Sequence, residues 1–155
     1  QLLVLGNGDT HLEQAFELQA RGNPAQIAFR TGYDESLAHR IFAGSDIIQV
    51  PSRFEPCGLT QMYGLKYGAV PLVRRVGGLA DTVTDSDLGT LDDQTATGIV
   101  FNDFTVDDYR HAVRKAFALY RRRTDWNRVR QTGMRIAFDW GSAAQQYIQL
   151  YQSLI

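Results

Sequence analysis

PSRFEPCGLTQMYGLKYGAVPLVRRVGGLADT, residues 51–82, decides how this chain folds. An apolar run, DIIQV (46–50), leads into it. A proline and a glycine, Pro56 and Gly58, force a turn, and LTQMYGLKYG (59–68) then reads at helical period. AVPLVRRV (69–76) is again strand-like, and Gly77-Gly78 precede a short helix near Leu79. Strand, glycine and helix therefore follow one another twice within one short segment. Glu55 stands just ahead of the first of these glycines.

The same rhythm runs outward in both directions. QLLVL (1–5), QIAFR (26–30) and GIVF (98–101) read as further strands. Helical periods cover 10–21, 34–45, 105–122, 124–137 and 142–154. The strand runs are apolar throughout, which suits strands buried on both faces. Alternating strands and helices predict an α/β fold, a Rossmann-like parallel sheet with helices on both faces. The Asp- and Thr-rich segment 84–97 reads as an exposed irregular loop. With 155 residues, the chain is expected to form one domain, 1–155. It begins without Met and already in a strand, which suggests a piece of a longer chain.

A net charge of −1 gives no basic field for nucleic acid or an anionic membrane surface. No apolar run approaches the roughly 20 residues that span a bilayer. The single cysteine, Cys57, forms no internal disulfide and suits a reducing, cytoplasmic setting.

Ligands of open α/β sheets bind beyond the carboxyl ends of the strands, so the loops there are read first. GNGDTH (6–11) resembles a dinucleotide fingerprint but has His11 where the third glycine belongs. A tight turn is preferred, with Gly6 and Gly8 in unusual dihedrals and Asp9 or Thr10 capping the helix. Gly58, Leu59 and Thr60 open a helix whose free N–H groups make an anion site. An acid beside a phosphate repels it, so Glu55 fits only if it faces something joined to that phosphate. A sugar, whose hydroxyls donate to a carboxylate, meets that need. The plain alternative is a surface Glu ahead of a helix-start Gly. Gly77 and Gly78 let a backbone approach a ligand closely, or simply form a turn. Tyr33, in the loop TGYDE (31–35), either stacks on a base or packs on the following helix. Of Arg74 and Arg75, one is expected to be solvated and the other free to meet an anionic or polyol ligand. Asp85-Ser86-Asp87 has the form of a metal-binding DxD but lies in a polar loop, and the three histidines are dispersed, so no metal site is expected. Trp126 and Trp140 are expected to be packing anchors, and the last helix carries an apolar stripe that needs a partner.

PSRFEPCGLTQMYGLKYG followed by VPLVRRVGGLADTV closely resembles the bacterial glycogen synthase and plant starch synthase family. GNGD, IAFRTGYDESLAHRI and DWGSAAQQYIQLYQSLI fit it in order and spacing, so the resemblance covers essentially the whole chain. It implies the C-terminal, donor-binding domain of a GT-B glycosyltransferase, without its first strand. The implied partner is the enzyme's own N-terminal domain, which carries the acceptor site and which the helix 142–155 would contact. The implied reaction transfers glucose from ADP-glucose to the non-reducing end of an α-1,4-glucan such as glycogen, with retention and with no metal or other cofactor. By the resemblance, Glu55 contacts the donor glucose and is needed for activity. Cys57, Gly58, Leu59 and Thr60 line the glucose and phosphate site, Tyr33 stacks on adenine, and Gly77 and Gly78 form the second glycine motif. The wider superfamily often carries a second Glu eight positions after the first, where this chain has Tyr63; the glycogen and starch synthase branch also lacks that Glu. The family's phosphate-binding Arg and Lys would lie upstream of Gln1, so the chain alone is expected to be catalytically incomplete. A UDP-sugar transferase and a noncatalytic nucleotide-binding module are the rival readings.

Overall fold

The computed structural model describes residues 1–154, without the side chain of Ser142. Backbone contacts divide the chain into two compact units, one over Gln1–Ser45 and one from Asp46 onward.

The first unit runs β1 (Leu2–Gly6), α1 (Thr10–Gly22), β2 (Ile27–Thr31), α2 (Glu35–Gly44). β1 and β2 pair in parallel, from Leu2 opposite Ile27 to Gly6 opposite Thr31. α1 packs on β2, where Phe16 stacks on Phe29 with ring centroids 5.7 Å apart. Asp9, rather than Thr10, caps α1, its carboxylate accepting the His11 N–H at 3.1 Å. The unusual dihedrals expected at Gly6 and Gly8 are not taken, since neither has a positive φ. The turn is instead held by the Gly8 N–H, which donates to the Glu13 carboxylate at 2.8 Å.

The second unit contains β3 (Ile47–Val50), α3 (Thr60–Tyr67), β4 (Val70–Arg74), α4 (Gly78–Thr82), α5 (Leu88–Asp92), β5 (Ile99–Phe101), α6 (Val106–Arg121), α7 (Arg123–Arg135) and α8 (Trp140–Gln152). Its strands form a parallel sheet in the order β3-β4-β5. Successive side chains of a strand point to opposite faces, and β4 is buried on both. Val70 and Leu72 join Ile99 and Phe101 in a core closed by Ala112, Ala116 and Leu119 of α6 and Trp126 and Val129 of α7. Pro71 and Val73, on the other face, are fully buried as well.

The segment 84–97 is exposed over much of its length, as its composition predicts, but it is not irregular throughout. It contains α5, started by a reciprocal cap: Thr90 N–H donates to Asp87 Oδ1 at 2.9 Å and Asp87 N–H to Thr90 Oγ1 at 3.0 Å. Ser86, Ala96 and Thr97 are buried, and Ser86 Oγ donates to the Gly98 carbonyl at 2.7 Å. The Asp85 carboxylate accepts the Val100 N–H at 2.8 Å and forms an ion pair with Lys115 Nζ at 2.7 Å. Asp85, Ser86, Asp87 and Thr90 thus satisfy each other and nearby backbone.

α8 covers most of the helix expected over 142–155, but Ile155 lies outside the described residues. Tyr147, Ile148, Leu150 and Tyr151 on α8 are exposed, and so is Trp140 at 82%. Trp126, by contrast, is 1% exposed and meets Tyr120 edge-on. Only one of the two expected tryptophan anchors is therefore buried. Trp126→Ala should lower the unfolding free energy by about 3–5 kcal/mol, the usual cost of deleting a buried large aromatic. Trp140→Ala should change it by less than about 0.5 kcal/mol, as for other exposed positions. Chemical denaturation of the two variants, followed by circular dichroism, checks both.

Candidate functional site

Because β3, β4 and β5 are parallel, their carboxyl ends, Val50, Arg74 and Phe101, lie along one edge of the sheet. The loops 51–59, 75–77 and 102–105 gather there. α3 starts at Thr60 behind Gly58, whose φ of +72° turns the chain into it. The N-cap of α3 is Leu59, and no side chain caps the helix. Its first-turn N–H groups are therefore left for solvent or a ligand, with the positive end of the helix dipole behind them. Glu55 is half-buried beside this start, and among the described residues its carboxylate has no hydrogen-bond or ion-pair partner. Cys57 is exposed, and Thr60 lies on the same exposed rim.

The two glycine motifs meet directly. A Cβ on Gly77 would overlap the Glu55 carbonyl oxygen, and one on Gly78 would overlap the Cys57 carbonyl oxygen. Gly77 also has a φ of +47°, and the Gly78 N–H donates to the Pro56 carbonyl at 3.3 Å. The close approach that these glycines allow is thus, first of all, an approach of one loop to the other.

Below the contact lies Gln61, a residue that reading the motif by its acid and glycines passes over. It is fully buried. Its Nε2 donates to the Gly58 carbonyl at 2.8 Å, to Thr82 Oγ1 at 3.0 Å and to the Cys57 carbonyl at 3.3 Å. Its Oε1 is buried without a donor. An unpaired buried acceptor costs about 1–3 kcal/mol.

The two arginines differ from each other. Arg74 Nε donates to the Asn102 carbonyl at 3.2 Å, and its Nη1 to the Arg53 carbonyl at 3.0 Å. Its guanidinium lies 5.5 Å from the centre of the Phe104 ring. Arg74 therefore ties the 51–59 loop to the loop after β5. Arg75 Nε donates to Asn102 Oδ1 at 2.9 Å. Arg74 is thus held by protein acceptors and is not free to meet a ligand, whereas Arg75 is exposed, the solvated arginine of the pair that was expected. Asp108 anchors the same loop by accepting the Asn102 N–H at 2.9 Å and the Asp103 N–H at 2.7 Å. Those two backbone donors hold its carboxyl below the usual carboxylate range.

Tyr33, in the first unit, is 85% exposed in the loop after β2, so it does not pack on α2. Asp34 in that loop caps α2 by accepting the Leu37 N–H at 2.9 Å and pairs with Arg30 at 3.3 Å. Among the described residues, no three His, Cys, Asp or Glu side chains gather as metal ligands would, and no helix is long and apolar enough to cross a membrane.

Residues 1–131 match the family of glycosyl transferases group 1. The chain belongs to that family. It is 57% identical over all 155 residues to a glycogen synthase of Francisella philomiragia, and equally so to one from Francisella tularensis subsp. novicida. It spans 32% of the length of each. Among solved structures, it is similar to the catalytic domain of starch synthase IV from Arabidopsis thaliana bound to ADP and acarbose. That match has a TM-score of 0.82 and 30% identity, over 98% of this chain and 38% of that one. Anabaena HepE in complex with UDP-glucose shares the fold, with a TM-score of 0.70 at 14% identity over 97% of this chain and 40% of that one. The parallel strands and surrounding helices of this group 1 family member are those of a GT-B C-terminal domain.

Two outcomes test the geometry. Gly77→Ala should destabilise the protein by about 2 kcal/mol or more, because a left-handed backbone and a carbonyl clash add. Gly8→Ala, with open space around it, should be tolerated. Thermal unfolding of both variants gives the comparison. The Asp108 carboxylate should stabilise the fold at every pH above the ordinary aspartate value of about 3.9. That contribution should disappear as pH falls through its lower folded-state value. Acid titrations of the protein and of Asp108→Asn should therefore converge at low pH and separate as pH rises.

Proposed function

We propose that this chain is the donor-binding part of a cytoplasmic glycogen synthase. The enzyme would transfer glucose from ADP-glucose to the non-reducing end of an α-1,4-glucan, with retention. The observation that carries the reading is the uncapped start of α3 behind Gly58, with the unpartnered Glu55 carboxylate beside it. A bare anion would gain from the first group and lose to the second. A sugar diphosphate satisfies both, with its phosphates toward the helix and its hydroxyls toward the acid. The likeness to glycogen and starch synthases over the whole chain supports the choice of glucose, ADP and a glucan.

In this reading ADP departs with added negative charge, which the N–H groups at Gly58, Leu59 and Thr60 stabilise. Positive charge develops at the glucose C1. Glu55 holds the ring through its hydroxyls and offsets that charge. Cys57, Gly77 and Gly78 line the sugar, and the exposed ring of Tyr33 stacks on adenine. No metal or other cofactor has a role. Acceptor binding falls to a second, N-terminal domain of the enzyme, and the exposed stripe of α8 is a surface for that domain.

The test uses the full-length enzyme with glycogen and labelled ADP-glucose or UDP-glucose. Transfer from ADP-glucose should exceed transfer from UDP-glucose. Glu55→Ala should reduce turnover at least about a hundredfold, the scale of losing one preorganised electrostatic group, with an unchanged unfolding temperature. Preference for UDP-glucose would make the protein a different GT-B transferase. Normal turnover by Glu55→Ala would remove that residue from the site.

A further inference from the structure

We infer that Gln61 is a positioning residue for the anion site, acting with Thr82; this rests on the proposed donor site. The Gln61 amide orientation is fixed by chemistry, because the Cys57 and Gly58 carbonyls can only accept. Nε2 must face them, which leaves Oε1 against Gly58. The position a Cβ on Gly58 would take lies 2.7 Å from that oxygen. Gly58 is therefore required twice, by its backbone conformation and by the space Gln61 fills.

The consequence follows from peptide planarity. In a trans peptide the C=O and the next N–H point in opposite directions. Nε2 draws the Cys57 and Gly58 carbonyls inward, at 3.3 and 2.8 Å. The N–H groups of Gly58 and Leu59 therefore point away from the buried amide. They add to the uncapped N–H groups of α3, forming one concave set of donors of the kind that holds phosphate oxygens. Thr82 fixes the amide from the other side. Its Oγ1 accepts from Nε2 at 3.0 Å and donates to the Gly78 carbonyl at 2.6 Å. One buried side chain thus sets the donors of the first loop and links them to the glycine turn of the second.

Four variants of the full-length enzyme test this: Gln61→Met, Thr82→Val, Thr82→Ser and Gly8→Ala as a control. The readouts are the KM for ADP-glucose, the KM for glycogen, ADP affinity by calorimetry and the unfolding temperature. Gln61→Met removes the donors and also the orphaned acceptor, so its unfolding temperature should stay within a few degrees of the parent. Its ADP affinity should fall at least tenfold and its KM for ADP-glucose rise to match, with the KM for glycogen unchanged. Thr82→Val should move both donor-side values about threefold in the same direction, and Thr82→Ser should restore them. Unchanged ADP affinity in Gln61→Met, or equal losses for both substrates, overturns the inference. If Gln61→Met does not fold, the Thr82 pair decides: parent-like ADP affinity in Thr82→Val overturns it, and a loss that Thr82→Ser restores supports it. If the unmodified enzyme ignores ADP-glucose but binds another nucleoside diphosphate in a Gln61-dependent way, the functional reading falls and the inference stands. If it binds no nucleoside diphosphate, both fall.

Discussion

The contact between the 55–57 backbone and the Gly77-Gly78 turn is the constraint on which the second unit's site depends. It follows from the sheet. β3 and β4 are adjacent and parallel, so their carboxyl ends emerge about 4.8 Å apart. Two loops leaving side by side at that spacing either diverge or touch backbone to backbone. Here they touch, and a carbonyl oxygen of the first loop fills the place of each missing Cβ in the second. Neither loop has its conformation without the other. The acid and the helix start are therefore held as a pair, although they belong to a loop with no regular structure of its own.

The rest of the unit holds that pair from below and from the side. Below, β4 is buried on both faces and Gln61 is fully enclosed. At the side, Arg74 joins the Arg53 carbonyl to the Asn102 carbonyl, and Asp108 holds the backbone of Asn102. Each of these is a charged or polar side chain spent on backbone groups of loops. Loop backbone has no ladder to satisfy it, and buried backbone must find partners. A rigid site made of loops therefore draws polar side chains from the elements around it.

Much of this was legible in the sequence, and the failures share one cause. The strand and helix order could be read because apolar runs and helical periods are local signals. Gly58 and Gly77 could be read as turns for the same reason. The exposure of the segment 84–97 could be read, but its order could not, because Asp87 and Thr90 cap a helix together and Ser86 donates to Gly98. The role of Arg74 as a tie between loops was missed for a related reason, since its acceptors lie 21 and 28 residues away. Trp140 shows the opposite error, a large apolar residue that is exposed. Gln61 gave no signal beyond its position, one turn after an acid-and-glycine motif. Composition and period report burial on average; they do not report which polar group answers which carbonyl.

That distinction bears on how the site would choose its ligand. A helix start acts as roughly half a positive charge, contributing about 0.3–1 kcal/mol to a nearby anion. Glu55 brings a full negative charge to the same place, so for simple phosphate the repulsion wins. Arg74 does not reverse the balance, because it is directed at carbonyl oxygens of the protein. A ligand gains here only if it places hydroxyl donors on Glu55 while its phosphates meet the N–H groups. Selectivity for a sugar diphosphate over phosphate then comes from the acid, and the glycine contact matters because it fixes the distance between the two.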